Sequence, residues 1–297
     1  MIALNEFNLF SFAKRIYRPL ILDGAMGSLL ESKGLTSNDP SWSAKINLSH
    51  PGEVLKIHLD YIEAGADIIT TNTFRTNPYS LNQIGILDYK KFVKQAISIA
   101  KSAVGSKTVL IAGSNPPAED CYQRQRKATK KELELNHCLH IETLYEYGSH
   151  FILNETQSHY DEIKIICEFC KKNNIPFVIS LYFDEELKII SGEKLDEVIK
   201  FIIQYEPLSI GFNCITNALL TNLLKNFNFN LNFNWGFYLN LFEHKKNDKN
   251  SYSFNFSYSQ LIKDKLKLKP SFIGACCGSS SEDIKSLKEY LNGRNYS

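Results

Sequence analysis

Phe272-Ile273-Gly274-Ala275-Cys276-Cys277-Gly278 begins as an apolar strand and ends in two adjacent thiols flanked by small residues. It is the last of eight short β-branched or aromatic runs, the others covering residues 20–25, 67–74, 108–113, 150–155, 177–183, 208–214 and 235–240. Segments with helical spacing separate them, at residues 53–64, 90–104, 130–147, 162–173, 195–205, 217–226 and 259–266, with a closing helix over 281–291. Alternation of this kind builds βα units around a parallel sheet. Eight units close a barrel, so the expected fold class is α/β, a single (β/α)8 TIM barrel occupying residues 1–297 as one domain.

Pro51 before the first long helix and Gly65 after it are the start and stop signals such a helix needs. No composition break or low-complexity tract divides the chain apart from an Asn/Phe-rich stretch at 226–234. The 297 residues suit a barrel, which commonly uses about 250. A hydrophobic content of 43% is enough to bury a core, while the apolar runs stay strand-sized, well short of the roughly 20 residues that span a bilayer. With 34 basic against 32 acidic residues the chain has no global field to recruit nucleic acid or a membrane surface. The Lys-rich segment 127–131 and Lys245-Lys246 therefore read as solvated surface. The N-terminus has Phe and Leu residues near Arg15 and Arg18 but no signal-peptide pattern, and the seven cysteines are odd in number and not densely spaced. Both features point to reduced thiols and the cytoplasm.

A barrel gathers its chemistry at the C-terminal ends of its strands. There lie Cys276-Cys277 and, at the end of the sixth run, Gly211-Phe212-Asn213-Cys214. Adjacent strand residues point to opposite faces, so both thiols of the pair reach one ion only if the strand breaks there. Three thiolates with one open position describe a zinc site that accepts a substrate; four protein ligands would describe a closed one. The competing readings are a packed core thiol at Cys214 and a strained vicinal disulfide at Cys276-Cys277. Cys167-x-x-Cys170 falls mid-helix without redox context, and these two, with Cys121 and Cys138, read as packing residues.

Asp23-Gly24-Ala25-Met26-Gly27-Ser28 ends the first run with a tight, glycine-bearing turn whose N–H groups suit a carboxylate or phosphate, or else Asp23 simply caps the next helix. Thr70-Thr71-Asn72-Thr73-Phe74 ends the second run. Glu155 ends the fourth, behind Phe151-Ile152-Leu153, where burial is costly unless a cation or hydrogen bonds compensate. An α-ammonium group and a structural salt bridge both satisfy that condition.

Taken in order, Asp23-Gly24-Ala25-Met26-Gly27, Ala64-Gly65-Ala66-Asp67, Thr71-Asn72-Thr73-Phe74, Glu155-Thr156, Gly211-Phe212-Asn213-Cys214 and Cys276-Cys277-Gly278 resemble the motifs of the homocysteine S-methyltransferase family. The resemblance runs through nearly the whole chain. It implies that Cys214, Cys276 and Cys277 bind Zn2+, which takes the homocysteine thiol as fourth ligand, and that Asp23 and Glu155 hold the ammonium group. Gly24 and Thr73 join the substrate-binding set through the motifs that contain them. The implied reaction is methyl transfer to homocysteine giving methionine. S-methylmethionine or S-adenosylmethionine is the expected donor and betaine a third. The implied partners are thus small molecules. The length and Trp42-Ser43-Ala44 look like the short, free-standing branch, whereas Thr71-Asn72-Thr73-Phe74 looks more like the cobalamin-linked one. Alternatives are a non-catalytic zinc- or thiol-binding barrel and the homocysteine module of a cobalamin- or betaine-dependent enzyme. Departures from the family are Ala275 in place of a glycine and Gly113-Ser114-Asn115-Pro116-Pro117 after the third run, followed by a loop carrying Tyr122, Arg124 and Arg126 where donor contacts are expected.

Overall fold

Eight parallel strands form one sheet in a computed structural model that describes residues 18–226, 233–241 and 258–293. They are β1 (Leu20–Ile21), β2 (Ile68–Thr70), β3 (Leu110–Asn115), β4 (Phe151–Gln157), β5 (Phe177–Leu181), β6 (Ser209–Asn213), β7 (Trp235–Leu239) and β8 (Phe272–Ala275). From β2 to β8 each pairs with its neighbour in sequence, and β1 pairs with β8. A parallel bridge between Leu22 and Ile68 draws β1 to β2, backed by Asp23 N–H on Ile68 O at 2.9 Å and Asp67 N–H on Ile21 O at 2.7 Å. The sheet is thereby a nearly closed (β/α)8 barrel. Lys245-Lys246, the N-terminal segment with Arg15, and most of the Asn/Phe-rich stretch lie outside the described residues.

Alternation along the strands sorts the core into two layers. Leu20, Leu22, Phe151, Leu153, Val178, Tyr238 and Phe272 pack inside the barrel, while Ile152, Ile179, Ile210 and Phe237 face the helices. Among those helices α3 (Pro51–Ala64) starts on its proline and stops where Gly65 turns left-handed at φ 103°. Helix α5 (Tyr89–Val104) starts where the Asp88 side chain accepts from Lys91 N–H. Helices α6 (Lys130–Glu146), α7 (Tyr160–Lys172), α8 (Leu195–Ile203), α9 (Asn217–Asn226) and α11 (Ser281–Asn292) match the periodic segments. Shorter pieces are α1 (Gly27–Ser32), α2 (Ile46–Ser49) and α4 (Pro78–Asn82). The segment expected as one helix at 259–266 is instead a short helix α10 (Tyr258–Ile262) followed by a 3-10 turn, Lys265–Leu268. Arg18 forks onto Asp67 at 2.6 and 2.9 Å, and Asp67 also accepts from Ile21 N–H. That pair closes the N-terminal face, the end of a barrel that serves stability.

One strand departs from expectation in a way that matters for the site. β2 ends at Thr70, not at residue 74, and the chain turns at once, Thr73 N–H reaching Thr71 O at 2.7 Å. Beyond Thr70 the two-residue alternation no longer says which side chains face the barrel mouth.

Candidate active site

A cavity of about 700 Å³ opens at the C-terminal ends of the strands, and Asp23, Glu155, Cys214, Cys276 and Cys277 all line it. Cys214 follows the last residue of β6 with φ 55°, a left-handed conformation uncommon for a residue with a Cβ. β8 ends at Ala275, so Cys276 and Cys277 occupy the turn after it, and Gly278 completes that turn at φ 83°. This resolves the problem of adjacent thiols, because neither is bound by strand alternation. The three sulfurs lie within 4.8 Å of one another, with Cys214 and Cys276 at 2.9 Å. All seven cysteines are free thiols, which removes the vicinal disulfide. Among the described residues the trio is the one group of three or more Cys, His, Asp or Glu side chains spaced to share a metal ion.

Neighbouring strands hold the thiols in place. Cys276 N–H donates to Leu239 O at 2.8 Å, Leu241 N–H donates to Cys277 O at 3.0 Å, and the Asn240 side-chain amide donates to Cys214 O at 3.0 Å. Asn213 locks β6 to β4: its Oδ1 accepts from Thr156 N–H at 2.9 Å and its Nδ2 donates to Thr156 Oγ1 at 2.8 Å. The Thr156 hydroxyl in turn faces Cys214 Sγ at 3.8 Å.

Asp23 is buried and Glu155 half-buried, each against neutral partners only. Asp23 accepts from Thr70 N–H at 2.7 Å and Thr70 Oγ1 at 2.8 Å, and burial still pushes it up to about 8. Glu155 accepts from the Ser114 hydroxyl, and burial pushes it up to about 7. A carboxyl shifted upward this way lacks a cation, and a cationic ligand arriving beside it would restore its charge. Neither the helix-cap reading of Asp23 nor the salt-bridge reading of Glu155 matches this geometry.

Gly24 lines the cavity, and a Cβ there would stand 2.6 Å from both Ser279 Oγ and Tyr61 Oη. These two side chains support the turn from below, Ser279 Oγ accepting from Ala25 N–H and Tyr61 Oη donating to Ala25 O. Thr73 does not line the cavity. It is fully buried, and its hydroxyl donates to Ser114 O at 2.7 Å, so its place is beneath the wall that Thr70, Thr71, Asn72 and Phe74 form. Its neighbour Asn72 ties that wall to the segment around Trp42 through Ser43 and Asn47.

The loop after β3 divides its labour. Tyr122 lines the cavity and packs edge-on against Tyr182 at 4.9 Å, whereas Arg126 points away and pairs with Asp161 and Glu162, both at 2.5 Å. Glu162 also accepts from His137 Nε2 at 2.6 Å and from Ala118 N–H at 2.8 Å, so one buried carboxylate fastens both ends of the loop. Cys167 and Cys170 are core residues of α7, as their position suggested, and Cys138 is half-buried. Cys121 is buried but sits on the cavity wall.

Sequence reasoning passed over Tyr238 and Arg75 and noted Ser114 only within the altered stretch after the third run; all three are on the wall. For Tyr238 a signal existed: alternation from outward Phe237 sends it into the barrel, where burial and Glu155 push its phenol well up. Nothing in the sequence marked Arg75.

The family model for homocysteine S-methyltransferase matches residues 20–291. A homocysteine S-methyltransferase of Escherichia coli (strain K12) is 25% identical, the match covering 91% of this chain and 94% of that protein. Homocysteine S-methyltransferase 3 of Zea mays is 24% identical over 92% of this chain and 90% of its own length. The crystal structure of the homocysteine methyltransferase MmuM from Escherichia coli in its metallated form superposes with a TM-score of 0.79 at 22% identity, covering 95% of this chain and 99% of that one. No helix among the described residues is long and apolar enough to cross a membrane. The chain belongs to the homocysteine S-methyltransferase family.

Proposed function

We propose that this family member transfers a methyl group from an onium donor to the thiol of homocysteine, giving methionine, with Cys214, Cys276 and Cys277 as ligands of one zinc ion. The observation that carries the reading is the meeting of three free thiols and two cation-starved carboxylates on one cavity. Zinc–sulfur bonds of about 2.3 Å set tetrahedral edges of roughly 3.8 Å, so three sulfurs within 4.8 Å of one another fit the donor set of such an ion. When bound, zinc supplies a Lewis acid that keeps a coordinated thiol deprotonated at neutral pH.

The chain's own residues do the rest. Asp23 and Glu155 bind the ammonium group and so fix which way the substrate's thiol points. Gly24 lets Ser279 and Tyr61 pack against the turn beside Asp23, where a side chain would displace them. Strand ends and the 116–129 loop hold donor and acceptor in line and exclude water, which is where most of the rate is gained in a transfer needing no protein nucleophile. The new bond forms between substrate sulfur and methyl carbon. The donor's bond to that carbon breaks with its electron pair staying on the donor, and the thiol proton leaves to solvent. S-methylmethionine or S-adenosylmethionine is the donor in this reading. Seven free thiols support a reducing compartment, the cytoplasm.

Methionine formation from homocysteine, measured by mass spectrometry with S-methylmethionine, S-adenosylmethionine and betaine in parallel, tests the proposal. Turnover with one of them is expected. A protein that binds zinc and homocysteine yet makes methionine from none would be a binding module. Calorimetry in buffers of different ionisation enthalpy should also count a proton released as homocysteine binds, and X-ray absorption should show sulfur coordination at zinc rise from three to four. Four sulfurs before substrate is added would mean a closed site.

A further inference from the structure

Four arginines lie among the described residues; Arg124 is exposed and off the cavity wall, and two of the other three are paired. Arg18 forks onto Asp67, and Arg126 bridges Asp161 and Glu162. Arg75 differs: it is half-buried on the cavity wall, yet among the described residues no carboxylate comes within ion-pair distance of it. One N–H of its five donates to Glu119 O at 3.0 Å. The Glu119 carboxylate is engaged elsewhere, accepting from Tyr79 Oη at 3.2 Å and from the N–H groups of Lys127 and Ala128. The guanidinium is not loose, because its carbon sits 5.2 Å from the centre of the Phe74 ring, which meets Trp42 edge-on at 6.2 Å. Phe74 and Trp42 line the same cavity. A partly desolvated, oriented and unpaired guanidinium is a receptor for a planar anion, and a carboxylate matches its fork.

We propose that Arg75 reads a carboxylate on the methyl donor, with Phe74 and Trp42 offering π-faces to the donor's onium centre. The inference rests on the methyl-transfer reading above and extends it to the donor side. Position separates this carboxylate from that of homocysteine. Asp23 and Glu155 hold their ligand at the ends of β1 and β4, whereas Arg75 stands on the loop after β2, against the backbone of the loop after β3. The ring faces suit a cation, and the guanidinium suits an anion carried on the same molecule. The occupant is therefore a zwitterionic onium amino acid or betaine, as opposed to a bare onium ion.

The test compares wild type, Arg75→Gln and Arg75→Lys, each loaded with zinc, using S-methylmethionine and the same molecule with its carboxylate converted to a carboxamide. Wild type should prefer the carboxylate form by roughly 10- to 100-fold in kcat/KM, the scale of hydrogen bonds to a charged group. Arg75→Gln should erase the preference, raising donor KM while leaving kcat and the homocysteine KM near wild type, and Arg75→Lys should fall between. Equal use of both forms by wild type, or a rise in homocysteine KM in place of donor KM, would overturn the assignment. Calorimetric binding of S-methylmethionine, S-adenosylmethionine and betaine in the absence of homocysteine reads the subsite without turnover. At least one should bind Arg75→Gln about tenfold or more weaker than wild type, and if none does the proposal falls. Arg75-dependent binding without methionine formation would instead leave the subsite standing and remove the reaction.

Discussion

Glu162, buried, and Glu155, half-buried, are carboxylates on the same side of the barrel, and their surroundings treat them oppositely. Burial alone would raise Glu162, but the His137 ring, the Ala118 N–H and the Arg126 guanidinium outweigh it and hold the carboxyl down at about 2. Glu155 meets neutral hydroxyls, Ser114 foremost, and is pushed up to about 7, as Asp23 is to about 8. The paired carboxylate belongs to the scaffold and fastens a loop. The unpaired ones stand in the cavity, where a cationic ligand would complete them. The same contrast separates Arg126 from Arg75.

Removing cavity residues should therefore abolish function at little cost in stability, and removing network residues should do the reverse. The largest expected effect is at Cys277→Ala, where turnover should vanish and zinc content fall while the metal-free protein melts near wild type. Full zinc occupancy with activity would break the comparison on its functional side. Next is Glu162→Gln, which leaves Arg126 and His137 around a neutral group and should lower stability to denaturant by about 3–5 kcal/mol. The same contact has a pH signature. A carboxyl depressed in the folded state stabilises above its unfolded value near 4.5, and that stability is lost as pH falls towards 2. The variant's stability should be flatter through that window; an unchanged slope would mean that Glu162 is not the group responsible. Glu155→Gln should weaken homocysteine binding by about 1.5–3 kcal/mol by calorimetry and leave the ligand-free melting temperature at or above wild type. A loss of stability with unaltered affinity would move Glu155 into the scaffold class. Smallest is Tyr122→Ala, which gives up one edge-to-face pair with Tyr182 and should cost about 0.5–1.5 kcal/mol in denaturant titrations.

How much of this was legible depends on whether local pattern or remote pairing decides the position. The eight strands were readable because β-branched runs such as Phe177–Leu181 carry their own period and length. Cys214, Cys276 and Cys277 were readable because strand ends place them, and in a barrel all such ends meet on one face. Thr73 was misjudged because β2 stops at Thr70, and a turn side chain is aimed by its own hydrogen bonds, here to Ser114 O. Arg126 was expected near the donor, yet its partners lie 35 and 36 residues further on, a pairing no periodicity encodes. Arg75 escaped notice for the complementary reason. What distinguishes it is a missing partner, and that is visible only once its neighbours are in place.

If Cys214 is the zinc ligand proposed above, its left-handed backbone sets selection for folding against selection for chemistry at a single codon. A residue with a Cβ held at φ 55° forgoes about 1–2 kcal/mol that glycine would recover. A library randomised at 214 and sorted only for heat resistance should enrich glycine and, in the same step, discard the thiol. Persistence of cysteine there in a population under thermal pressure would thus report that catalysis was being selected as well.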